Sequence, residues 1–316
     1  MKAKTIRATL RKKVNDWLES IDDPVVREIA SKQTIVTGGS IASMLLKEPV
    51  NDYDIYFLTK DAAKAVAEYY VSRFKPKTVS GIPANICVFD DPADGLIKIV
   101  VQSAGIASEA GTAKPYQYFE SSSSDVAAGE YVQDIILGGE NNVDAQDDME
   151  ELAPQDDSPD KPKYRPVFLS TNAITLSGQI QIIIRFFGEA DKIHENFDFV
   201  HCTNYWCSWN DELTLRQPAL ESLLAKELRY VGSKYPVCSV IRLRKFIKRN
   251  WTINAGQILK MLLQVSELDL TDPKVLQDQL VGVDAAYFCE LMTKVKANDP
   301  DKVNSAYLVE IIDRMF

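Results

Sequence analysis

Residues 37–57 constrain this chain more than any other stretch. They read Thr-Gly-Gly-Ser-Ile-Ala-Ser-Met-Leu-Leu-Lys-Glu-Pro-Val-Asn-Asp-Tyr-Asp-Ile-Tyr-Phe. A small-residue turn, Gly38-Gly39-Ser40, follows the β-prone run Thr34 to Thr37 and opens a helix to about Lys47; Asp52 to Leu58 then reads as a strand. Successive strand side chains point to opposite faces. Asp52, Asp54 and Tyr56 therefore share one face, and Tyr53, Ile55 and Phe57 the other. Two carboxylates two residues apart on one face are well placed to hold divalent cations. A turn rich in backbone N–H at a helix start is well placed to hold phosphate. Gly38 and Gly39 allow close backbone approach, and the Ser40 hydroxyl can donate to a phosphate oxygen.

The totals set the frame around this segment. With 316 residues, 46% of them apolar, the chain can bury a real core in one large domain or two. No uninterrupted apolar run approaches the length of a membrane span. Met1 to Lys13 is basic and amphipathic but no apolar region follows, so no secretory signal is expected. Cys87, Cys202, Cys207, Cys238 and Cys289 are odd in number and scattered, which fits reduced thiols in a cytoplasmic protein. The net charge of −9 is local: residues 140–160 hold nine acids and no Lys or Arg, so the remainder is neutral. Residues 226–260 hold nine Lys or Arg and one acid, Glu227. The overall acidity therefore does not argue against a nucleic-acid partner.

Along the chain, residues 3–31 read as amphipathic helices, with Leu10, Val14, Trp17, Leu18 and Ile21 at helical spacing and Asp23-Pro24 as a restart. Residues 61–74 form a further helix, and Asn85 to Phe89 and Leu96 to Gln102 look like paired strands. From about 105 to 165 the pattern dissolves into serines, a Gly138-Gly139 breaker and the acidic stretch, which predicts a mobile insertion. Gln179 to Phe187, a helix over 189–196 and a strand over 197–205 form a strand–helix–strand unit. Helices are then expected over 218–231, 236–250, 254–265, 272–279, 284–295 and 303–315. The predicted layout has N-terminal helices (1–33), a mixed α/β core (34–210) with its insertion, and an all-helical domain (211–316).

Gly39-Ser40, eleven intervening residues and Asp52-Tyr53-Asp54-Ile55 resemble the signature of the DNA polymerase β-like nucleotidyltransferase superfamily. That family completes its site with a third carboxylate on a later strand of the same sheet, and Asp198 in Phe197-Asp198-Phe199-Val200 matches it. Together with the Gln179–Phe187 run, these residues look like a poorly characterised branch of the superfamily found in bacteriophages and large viruses. The resemblance covers residues 34–104 and 166–210. It implies an α/β (α+β) nucleotidyltransferase core with a mixed sheet, followed by a helical domain. It also implies transfer of an NMP from an NTP to a hydroxyl, with two Mg²⁺ or Mn²⁺ ions on Asp52, Asp54 and Asp198. Related enzymes reach the triphosphate with a lysine of the helical domain, and Lys226 and Lys245 are the candidates.

Arg242, Arg244, Lys245, Lys248 and Arg249 ride beside the apolar stripe of one amphipathic helix, either as a solvated face or as contacts to nucleic-acid backbone. The implied acceptor is an RNA 3′ end such as that of a tRNA. A protein side chain, an aminoglycoside or a second nucleotide stays open, as does a non-catalytic binder on the same fold. Asp211 and Glu212 rival Asp198 but sit in a turn-like context that suits capping. His194, His201, Cys202 and Cys207 lack zinc-ligand spacing, and His201 and Cys202 would face apart on a strand. Serine-hydrolase, Walker and dinucleotide-binding motifs are absent from the sequence.

Overall fold

The computed structural model describes residues 1–75, 85–92, 95–102, 120–122, 163–270, 275 and 279. Two helices open it, α1 (Ala3–Glu19) and α2 (Pro24–Gln33). The Asp23 side chain caps α2 by accepting from the N–H groups of Val25 and Val26, with Pro24 at the first turn. Proline suits that position because the N–H it lacks has no helical partner there. Then follow β1 (Thr34–Thr37), α3 (Gly39–Leu46), β2 (Tyr53–Phe57) and α4 (Lys60–Arg73), the last capped by Thr59. The paired strands β3 (Asn85–Asp90) and β4 (Ile97–Gln102) form a separate antiparallel hairpin.

Within the expected insertion, Glu120–Ser122 forms β5 and pairs antiparallel with β6 (Pro166–Ser170), so this part of it belongs to the sheet. The rest of it up to residue 162 lies outside the described residues. Beyond it come β7 (Ala173–Leu176), β8 (Ile180–Phe187), α5 (Ala190–His194), β9 (Tyr205–Cys207) and β10 (Glu212–Thr214). The sheet has eight strands in the order β10-β9-β1-β2-β8-β7-β6-β5. Only β2 and β8 run parallel in it.

The predicted alternation on β2 holds. Tyr53, Ile55 and Phe57 join the core formed with α1 and α4, which includes Ile6, Leu10, Val14, Trp17, Ala62 and Val66. The Trp17 indole donates to the Tyr70 hydroxyl at 2.8 Å inside that core. Tyr56 lies on the opposite face with Ile35, Ile183, Phe186 and Tyr235.

The expected strand over 197–205 does not form. Phe199 makes one isolated bridge to Tyr230, Val200–Cys202 is a short 3₁₀ helix, and pairing begins only at Tyr205. The backbone of 198–200 bonds to the 229–231 segment instead of to the main sheet. The sheet also takes in Glu212–Thr214, past the expected core boundary at 210.

In the C-terminal part, α6 (Gln217–Ala225) ends at Lys226, which is left-handed (φ 47°). The expected helix through 231 is replaced by β11 (Glu227–Leu228), paired in parallel with β12 (Thr252–Ile253). Helices α7 (Pro236–Lys248) and α8 (Ala255–Ser266) match the pattern read from the sequence. The helices expected over 284–295 and 303–315 lie outside the described residues, as does most of 272–279. A third cluster, with Ala42, Phe199, Leu223, Tyr230, Trp251 and Met261, packs this helical part against α3.

Candidate active site

The four residues of β1 are all buried, and the chain leaves them through Gly38 with φ +101°, ψ −152°. A side chain is strained in that conformation, and a second constraint applies. A Cβ on Gly38 would lie 2.5 Å from Asp54 Oδ2, so the aspartate carboxylate occupies the space that glycine leaves. The Gly38 N–H donates to the Cys202 carbonyl at 3.1 Å. A Cβ on Gly39 would meet nothing within 4 Å, so this side of the turn is open. No side chain caps α3, whose first-turn N–H groups carry the positive end of its dipole. The Ser40 hydroxyl is buried and has no hydrogen-bond partner, an arrangement that costs on the order of 1–3 kcal/mol unless a ligand satisfies it.

Asp54 sits on β2 opposite Gln181 of β8, and Asp52 immediately precedes the strand; both are half-buried. Tyr56, the third residue of this face, is buried. Burial raises its phenol well above the ordinary value, and the negative charge of Asp54 adds to that. Cys202 carries its thiol inward, and burial pushes the thiol up to about 12. Asp54 and Asp198 contribute to that rise, and Arg242 and Lys245 oppose it. No motif or spacing around Cys202 marks it as a neighbour of these charges. Asp52 also acts on Tyr56, which draws both strand carboxylates into the same neighbourhood.

Asp198 reaches this neighbourhood without a strand to carry it. It is buried, its Oδ1 accepts from the Ser233 hydroxyl at 2.8 Å, and its Oδ2 is ion-paired with Arg242 of α7. Ser233 lies in an irregular loop, and nothing in its sequence context marks it. Among the described residues, no group of three or more His, Cys, Asp or Glu side chains is gathered so as to hold a metal ion. Asp52 and Asp54, hard oxygen donors on one face beside the open Gly39 turn, fit a divalent cation in their chemistry. Asp198, held by a guanidinium, does not complete the set with them.

The basic residues divide into two groups. Arg242 faces Asp198 rather than a free nucleic-acid surface. Arg249 and Lys226 both reach Glu48, just past α3, at 2.9 and 3.5 Å, so these two fasten the helical part to the core. Arg244, Lys245 and Lys248 remain exposed on α7. The rival acid Asp211 accepts from the Trp206 indole at 3.0 Å and pairs with Arg11 of α1 at 3.0 Å, which anchors the N-terminal helix. His194 Nε2 lies 2.8 Å from the Thr37 hydroxyl. His201 is packed among Phe199, Phe246 and Trp251.

A mixed sheet that sets a glycine turn against a strand-borne carboxylate pair defines an α/β protein with a candidate phosphate- and cation-binding site. The chain belongs to the Gabija anti-defense 2 family, whose model matches residues 8–226. It is 24% identical over 123 residues to "Gabija anti-defense 2" of Bacillus phage SPbetaL7, which covers 38% of this chain and 31% of that protein. The phage relative accords with the viral branch implied by the sequence. Among solved structures, the chain is similar to the Thermotoga maritima CCA-adding enzyme complexed with tRNA, with a TM-score of 0.39 at 14% identity. That likeness covers 88% of this chain and 52% of the enzyme. It is also similar to the Bacillus stearothermophilus CCA-adding enzyme in complex with CTP, with a TM-score of 0.36 at 11% identity over 90% of this chain and 51% of that one. The chain thus spans about half the length of these enzymes and about a third of the phage protein. No helix among the described residues is long and apolar enough to cross a membrane.

Proposed function

We propose that this chain counters the Gabija defence, as its family description states, by transferring a nucleotidyl group from an NTP to a hydroxyl acceptor. The observation that carries this reading is the packing of the Asp54 carboxylate into the space left by Gly38, which makes the phosphate turn and the carboxylate pair one site. In such a reaction the acceptor oxygen bonds to the α-phosphorus as the bond to the pyrophosphate oxygen breaks, in line and opposite. The first-turn N–H groups of α3 bind the phosphate oxygens, and the Ser40 hydroxyl donates the hydrogen bond it makes to no protein atom. Lys245 adds positive charge from the α7 side. Asp52 and Asp54 would hold Mg²⁺ or Mn²⁺, which supplies charge neutralisation at the phosphates. Exposed Arg244 and Lys248 flank this side and suit the backbone of an RNA acceptor.

The test uses Asp52→Asn with Asp54→Asn, label transfer from α-³²P NTPs onto total RNA and total protein, and phage growth on Gabija-bearing cells. Wild type is expected to label one fraction and restore growth, and the double variant to do neither. A second reading, binding without turnover, is favoured by the commitment of Asp198 to Arg242. It is upheld if the double variant restores growth as well as wild type.

A further inference from the structure

Arg185 of β8 holds a guanidinium inside the protein without an acid to neutralise it. The residue is 7% exposed, and no carboxylate among the described residues pairs with it. Its Nη1 donates to Asn172 Oδ1 at 3.2 Å, while its Nε is buried with no acceptor. Asn172 is itself 1% exposed, and its Nδ2 is a second buried donor with no acceptor. We propose that Arg185 and Asn172, beside the start of α7, form a binding site for a phosphate group, separate from the Gly38 turn. This site goes beyond the proposed transfer reaction and does not depend on it.

The shortage at this pair is all of one kind. A guanidinium only donates, so the amide oxygen of Asn172 must face it, and the amide N–H₂ is left pointing elsewhere. The pair therefore has donors to spare and lacks acceptors. A group that accepts hydrogen bonds and carries negative charge answers both the idle donors and the uncompensated cation. Water would answer the donors alone and leave the buried charge unpaired.

The backbone places the pair where further positive potential is available. Between the partners Ile55–Ile182 and Phe57–Phe187, β2 has Tyr56 and β8 has Ile183 to Phe186, so Arg185 lies in a bulge. A bulge re-aims the side chains it carries. Ile183 and Phe186 pack with Tyr235, Val237 and Cys238 at the start of α7, and the guanidinium carbon lies 5.4 Å from the centre of the Tyr235 ring. No side chain caps this helix of 13 residues. Its positive end and the guanidinium put like charge together, which a bound anion relieves. A phosphate has oxygens enough for the guanidinium fork, the amide and the helix N–H groups together, whereas a carboxylate has two. The Gly38 turn borders Asp54, opposite Gln181, so the two sites lie at successive positions along β8.

The experiment follows thermal melting of the full chain in phosphate-free buffer with inorganic phosphate or 5′-AMP added, alongside ³¹P NMR line broadening. The variants are Arg185→Met, Arg185→Lys and Ser40→Ala. Wild type is expected to melt about 3 °C higher at roughly ten times the dissociation constant of the anion. Ser40→Ala, which alters only the Gly38 turn, should keep that rise. Arg185→Met should lose it, yet melt no lower than wild type without phosphate, because an apolar chain of similar length replaces an uncompensated charge. An arginine that merely braces the core predicts the opposite, a lower melting point in every buffer. Should Arg185→Met fail to fold, Arg185→Lys, with a smaller rise expected, and the wild-type ³¹P broadening carry the test. A rise with inorganic phosphate alone identifies free phosphate as the ligand, and a rise with 5′-AMP shows that a phosphate monoester is admitted. An undiminished rise in either Arg185 variant, or its loss in Ser40→Ala, places the anion at the Gly38 turn and overturns the proposal. A wild type with neither rise nor broadening overturns it as well.

Discussion

Gly38 illustrates how much function one backbone position can hold. Its φ of +101° and the nearness of Asp54 Oδ2 make alanine unsuitable on two independent grounds. Gly38→Ala is expected to lower stability by about 1–3 kcal/mol and to weaken NTP binding, as thermal melting and calorimetry would show. Gly39→Ala, whose Cβ meets open space, should leave melting near wild type. Equal behaviour of the two variants would remove the role assigned to Gly38. The turn and the alternation of Asp52, Asp54 and Tyr56 were legible in the sequence because both follow from local geometry. The partners of Asp198 were not. Ser233 and Arg242 reach it from segments whose spacing carries no mark of the meeting, and a basic amphipathic helix looks the same whether its arginine faces solvent or a buried acid.

At the level of elements, strong local signals fixed the helices. Asp23 before Pro24 announced α2, and its carboxylate takes the two N–H groups that a cap should take. Asp23→Ala should cost about 1 kcal/mol, read as a lower denaturant midpoint with an unchanged slope; no shift would mean that α2 is held by packing alone. The strand readings held less well, because a strand is defined by its neighbours. Phe197 to Tyr205 has apolar and aromatic residues suited to a strand, yet the edge beside β1 is taken by Tyr205–Cys207, and the preceding residues curl into a 3₁₀ turn. Pro166–Ser170 and Ala173–Leu176 are strands whose signal is short and adjoins the irregular acidic stretch. Lys226 ends α6 in a left-handed conformation that its type does not advertise.

For the whole molecule, two buried imidazoles tie stability to acidity. Burial, aided by Arg216, brings His194 down to about 4; burial, aided by Arg249, brings His201 down to about 3. Both rings take up protons more readily in the unfolded chain, near the ordinary 6.5. Stability is therefore full above that value and falls as the pH drops from 6.5 toward 4 and 3. Between pH 7.5 and 5, His194 alone should cost about 2 kcal/mol. His194→Gln should shrink the acid-induced fall in melting temperature, and an undiminished fall would show that other groups set it.

The parallel pairing of β2 with β8 carries a consequence for how the protein is made. Tyr53 meets Ile180, and Ile35 meets Cys207, so the two strands beside the Gly38 turn, which pair with each other, find their outer neighbours only after more than half of the chain has been synthesised. Closing such long loops delays the contacts that repay it. On the ribosome, the N-terminal helices and the first strand–helix–strand unit must wait with both sheet edges unpaired. Assembly of the candidate site is accordingly a late event in folding, and a nascent chain stalled before residue 180 should present the Gly38 turn without the sheet that supports it.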